Sequence, residues 1–119
     1  MTNTTLQKIE TIWNEFSRKP FPEGASFKVA DERDLRDIDT FAAGCISAFI
    51  HAAGQLDQQR YDCLKTCLQD LSIGIKDLDA GPLKTYAEQL HLLSKLVLEY
   101  LDKKSGASEL AEDAFEQNR

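Results

Sequence analysis

The sequence predicts an all-α protein, an antiparallel up-down-up-down four-helix bundle with a long loop between its first two helices and an acidic C-terminal tail. Three observations carry that expectation. Four separate stretches space their large apolar residues three then four apart, the rhythm of helices packed along their length. The second, third and fourth stretches are joined by short turns, so consecutive helices must double back on one another. The 119 residues are 42% hydrophobic and 29% charged, enough for one buried core without disulfides or metal.

The first stretch is Leu6, Ile9, Trp13 and Phe16, capped by Asn3, Thr4 or Thr5 and running to about Arg18. Trp13 and Phe16 are expected to supply most of its buried area. Pro20 stops it. Lys19 to Ala30, with Pro20, Pro22 and Gly24, reads as a long loop lidding one end of the bundle, in which Phe27 and Val29 alternate with polar neighbours as a short extended piece would. Pro20, Phe21, Pro22 and Phe27 either cover the bundle end or present aromatic surface to a partner.

Asp31 caps the second helix, and the acidic cluster Asp31, Glu32 and Asp34 suits the positive end of its dipole. Its seam is Leu35, Ile38, Ala42, Cys45, Phe49 and Ala52. From Thr40 to Leu56 there are seventeen residues without a charge. Ala43, Gly44, Ser47 and Gly54 fall opposite the seam, with Ile46 and Ile50 on the flank. A helix that is apolar or small nearly all round is buried on both sides, by its own domain or by a second chain. As a membrane span the run is short, contains Ser47, His51 and Gln55, and is flanked by Asp39 and Asp57.

Gly54 ends that helix and Asp57 caps the third, whose seam is Tyr61, Leu64, Leu68, Leu71, Ile75 and Leu78, with Gly74 weakening the last turn. Asp79, Ala80 and Gly81 turn the chain, and Pro82 opens the fourth helix, where its missing N–H costs nothing. The fourth seam is Leu83, Tyr86, Leu90, Leu93, Val97 and Tyr100. Leu92, Leu96 and Leu98 widen its apolar arc beyond what one groove of a monomeric bundle needs, which implies a second apolar contact. Ser105 and Gly106 are expected to close it, dividing the chain into a bundle domain, 1–106, and a tail, 107–119. In the tail Ser108 can cap a short amphipathic turn carrying Leu110, Ala111, Ala114 and Phe115.

The formal net charge is −6, and half of it sits in the last thirteen residues, where Glu109, Glu112, Asp113 and Glu116 face only Arg119. None of the fourteen Lys and Arg residues form a block, so neither a nucleic-acid backbone nor an anionic membrane surface is an expected partner. Three cysteines, all within predicted helices, read as small buried hydrophobes of a reducing compartment, with the cytosol as default. Met1 to Glu10 carries no readable secretory signal.

Three constellations bear on chemistry. Cys63 and Cys67 stand four apart on the third helix, the spacing from which a helix offers two ligands to one metal, against the plainer reading of core cysteines. Glu88 and His91 form one Glu-x-x-His pair, but the second pair that a di-metal bundle needs is missing. His91 lies away from the fourth seam, with Glu88 before it and Lys95 after it on the same face. In this it resembles the histidine phosphotransfer domains, four-helix bundles whose helix-borne imidazole takes phosphate from an aspartyl-phosphate partner while a nearby lysine steadies the anion. The resemblance implies His91 as acceptor, with Lys95 and Glu88 supporting. The family's lysine at the third following position and glycine at the fourth are replaced here by Ser94 and Lys95, while His51 is followed by Gly54 but no lysine.

No Gly-rich phosphate loop, nucleophile signature or zinc-protease helix appears, and no cofactor is implied. The expected function is therefore a small cytosolic protein-protein interaction module of adaptor, regulator or inhibitor type. It would have a protein partner and would self-associate as a homodimer, through Ala43, Gly44, Ser47, Ile50 and Gly54 on the second helix, or Leu92 and Leu96 on the fourth. Leu110 and Phe115 in the tail are either a docking element for a groove or a frayed end packing on its own bundle. Phosphotransfer through His91 and a metal or redox role for Cys63 and Cys67 are the alternatives.

Overall fold

The described residues form four helices, α1 (Thr4–Phe16), α2 (Leu35–His51), α3 (Gln58–Ile75) and α4 (Pro82–Asp113), and no strand. This computed structural model describes residues 4–22 and 35–113, and the side chains of 5–22 and 35–104. The expectations for Phe27, Val29, the Asp31 cap with Glu32 and Asp34, Ala114 and Phe115 therefore lie outside the described residues.

Each boundary has a local cause. α1 closes with the Ser17 N–H on the Trp13 carbonyl at 2.8 Å and the Lys19 N–H on Phe16 at 3.0 Å, just before Pro20 removes the next donor. α2 ends in a Schellman turn: the Gly54 N–H reaches back to Phe49 at 2.9 Å and the Ala53 N–H to Ile50 at 3.1 Å. Ala53 (φ 56°) and Gly54 (φ 96°) both take left-handed backbone. Asp57 occupies the N-cap position of α3 in extended conformation but makes no side-chain cap bond. Its carboxylate instead holds Arg60 at 3.1 Å. α3 stops at Ile75, one turn short of the expected Leu78, and Pro82 opens α4 as its sequence foretold.

α4 does not close at Ser105 and Gly106. Its backbone continues without a break to Asp113, so residues 107–113, expected as part of a separate tail, extend the fourth helix. A glycine costs about 1 kcal/mol against alanine in a helix but blocks no i→i−4 bond, and Glu109, Leu110, Ala111 and Glu112 are strong helix formers.

The core is built around α4, which packs against all three other helices, while α2 also packs on α3. That is why its apolar arc is wide. Ala87, Leu90, Leu93, Val97 and Leu98 are buried, and Leu96 lies partly buried against them. Of the three leucines beside the seam, only Leu92 is exposed, at 45%. α3 faces both α2 and α4, so its buried stripe is turned from the expected seam to Leu64, Cys67, Asp70, Leu71 and Gly74. On α1 the fully buried residue is Ile9, with Phe16 buried and Trp13 only partly so.

Aromatic pairs and hydrogen bonds tie the helices at both ends. Phe16 meets Tyr86 at 4.7 Å between ring centroids, and Phe49 meets Tyr100 edge-on at 5.5 Å. The Tyr86 hydroxyl donates to Asp39 at 2.8 Å. Phe21 stands edge-on to Tyr86 at 5.3 Å, with the Arg36 guanidinium 4.6 Å above its ring. Phe21, a few residues past the end of α1, thus packs beside the start of α4.

Candidate functional site in the groove between α2 and α3

α2 turns its large residues, Ile38, Ile46 and Phe49, wholly into the core. What it leaves beside α3 is small or exposed. Phe41 is 48% exposed, and at Gly44, one turn on, a side chain would meet nothing within 4 Å. From α3, Gln59, Arg60 and Cys63 form the opposite wall of an open groove of about 400 Å³, with Thr40 and Cys45 completing it.

At the floor of that groove two thiols meet. Cys45 is buried, Cys63 is partly exposed, and the two line the same groove from opposite sides of the α2–α3 contact. Burial, and then the neighbouring Cys63, pushes the Cys45 thiol up to about 12, with the Arg60 charge acting weakly in the other direction. Cys67, which the sequence paired with Cys63, is wholly buried in the core one turn further along α3. Among the described residues, no group of three His, Cys, Asp or Glu side chains could hold a metal ion.

The residues expected to form one interface separate into distinct environments. Gly44 is exposed, Ala43 and Ser47 are half-buried, and Ile50 and Leu96 pack against the core. Gly54 is a correction: it is buried, and a Cβ on it would stand 3.1 Å from the Tyr100 hydroxyl and 3.5 Å from Leu6. Its smallness serves a close approach of α1 and α4 to the α2 turn, not an outer surface. Leu110 falls within α4.

His91 sits in a second groove, of about 440 Å³, between α3 and α4. Its Nε2 shares a 2.9 Å hydrogen bond with the Ser72 hydroxyl, and one turn of α4 further on Lys95 lines the same groove. Burial, then the Lys95 charge, holds the imidazole below its ordinary range. Ser94, at the position where the phosphotransfer family has lysine, is fully buried and donates to the Leu90 carbonyl at 2.9 Å. Glu88 is exposed. At the far end of this groove the Tyr61 hydroxyl donates to Asp102 at 2.5 Å, a bond that raises the tyrosine's pKa above its ordinary range.

A wider hollow of about 1130 Å³ lies between Thr5 of α1 and Leu96, Glu99, Tyr100 and Lys103 of α4. Among the described residues, no helix is long and apolar enough to cross a membrane. No protein-family model, no curated protein and no solved structure matches this chain.

Sequence reasoning missed Phe41 and the meeting of Cys45 with Cys63. A signal for the second was present: the two cysteines each stand nine residues from Gly54, and a hairpin turn there brings equidistant residues together. Phe41 and Gly44 are three apart on a side of α2 that the seam does not use, which is the corresponding signal for the first.

Proposed function

We propose that this chain is a helical protein-protein interaction module that pairs with a second copy of itself through the outer face of α2 and its groove with α3. The observation that carries the reading is the half-exposed Phe41 ring beside the open position at Gly44. A bulky side chain and a hole on one helix are self-complementary about a two-fold axis, since each ring can enter its partner's hole. The lack of charge from Thr40 to Leu56 removes the desolvation cost that a polar helix face would bring. Ala43 and Ser47 border the same face and allow close backbone approach. A stable dimer buries about 800 Å² per partner, which requires more of α2 than Phe41 and Gly44 alone.

The pairings of residues support an up-down-up-down order of helices. Tyr61 bonds Asp102 while Ser72 meets His91, so α3 and α4 run in opposite senses. Asp39 meets Tyr86 while Phe49 meets Tyr100, so α2 and α4 run in the same sense. Three free cysteines fit a reducing, cytosolic setting. An adaptor, regulator or inhibitor role is the kind of work such an assembly surface would serve.

The test is charge placed into the hole. Gly44→Arg and Ser47→Glu are expected to convert a dimer to a monomer in light scattering behind a sizing column while leaving helical circular dichroism intact. A dimer that persists in both variants would remove this face from the assembly.

A further inference from the structure

We propose that Cys45 and Cys63 are a reversible dithiol–disulfide site, oxidised by a low-molecular-weight disulfide of the glutathione class, that covalently joins α2 to α3. The juxtaposition carries it: the two thiols come from consecutive helices and line one small groove from its two sides. Their accessibility divides the work. Cys63 is partly exposed at the groove wall, and the Arg60 guanidinium one turn earlier lines the same wall, already shared with Asp57 at 3.1 Å. The thiolate is the form that attacks disulfides. Cys45 is buried behind it, so a large oxidant reaches Cys63 first.

The exchange then runs in two balanced steps. The Cys63 thiolate attacks one sulfur of the small disulfide, whose S–S bond breaks, and the released thiolate takes up the proton Cys63 lost. The Cys45 sulfur next attacks the Cys63 sulfur of the mixed disulfide, gives up its own proton, and expels the second small thiol. Two protein thiols are oxidised to one disulfide and one small disulfide is reduced to two thiols.

Cys67 does not compete on geometry. It lies in the closed core on the same helix as Cys63, whereas Cys45 faces Cys63 across the groove. The site stands whether or not a second copy occupies the groove.

The full chain, incubated in graded mixtures of oxidised and reduced glutathione and acid-quenched, is denatured and alkylated for intact mass and tryptic mapping. Cleavage at Arg60 and Lys65 puts Cys45, Cys63 and Cys67 on three separate peptides. The expected result is conversion from three alkylated cysteines to one, Cys67, with the Cys45 and Cys63 peptides linked. The link is expected to vanish in Cys45→Ser and in Cys63→Ser. A Cys63–Cys67 link, a persistent glutathione adduct on Cys63, or three alkylated cysteines in the most oxidising mixture would overturn the assignment. Repeating the wild-type titration at high dilution separates lack of reactivity from occlusion by a second copy, since occlusion alone is relieved by dilution.

Discussion

Two surface grooves of nearly equal size flank α3, and they differ in what their side chains do. In the α3–α4 groove, Tyr61 bonds Asp102 and Ser72 bonds His91, so its polar groups are spent in holding two helices together. In the α2–α3 groove an aromatic ring stands half in solvent beside an open glycine, with the Cys45 and Cys63 thiols along the same lining. Polar residues at a helix contact advertise chemistry in a sequence, yet here they are cross-links. The plainer groove is the one that leaves apolar surface open to solvent.

The comparison is sharpest at the two glycines of the uncharged run, which the sequence assigned to one surface. Gly54→Ala is expected to destabilise the fold by about 1–3 kcal/mol, because the added methyl meets Tyr100 in a left-handed backbone position. Tyr100 has little room to move, being edge-on to Phe49. Gly44→Ala, on an open helical position, is expected to be neutral or stabilising by about 0.5–1 kcal/mol in the monomer. Urea unfolding at high dilution measures both, and equal losses at the two sites would erase the distinction.

A smaller effect is expected in the polar groove. Tyr61→Phe removes the hydroxyl bond to Asp102 and is expected to cost about 0.5–1.5 kcal/mol, read from the urea midpoint. Assembly should be unchanged. If Tyr61→Phe instead altered the oligomeric state, the α3–α4 groove would have to be counted as an interface.

The smallest effect is a pH dependence at His91. Burial and Lys95 lower its folded-state pKa from the ordinary value near 6.5, so below that value the unfolded chain binds the proton more readily than the folded one. The contribution is whole above about pH 6.5 and is lost as the pH falls through the lowered folded value. His91→Gln is expected to flatten the fall in stability between neutral and mildly acidic pH. An unchanged slope would mean that other groups carry it.

Much of this architecture was legible because helix seams and turn residues act locally. Pro82, the Gly54 turn and the four apolar rhythms each specify structure within a few residues. What was not legible depends on which helix packs where. The surplus leucines of α4 looked like an interface until α4 proved to contact three helices, which absorbs Leu96 and Leu98. The rotation of the α3 stripe toward Cys67 and Gly74 has the same origin, as does the partnership of Cys63 with Cys45. The extension of α4 past Gly106 reflects propensity summed over following residues, where a single glycine had been read as a stop.

The proposed seating of a second copy of the chain on the exposed strip of α2, at the α2–α3 groove, predicts self-association. Its most direct test is the absolute mass of the wild-type protein by light scattering across a wide concentration range. The expected result is a species of twice the 13.4 kDa chain mass that dissociates on dilution. A constant mass of 13.4 kDa at every concentration would contradict it.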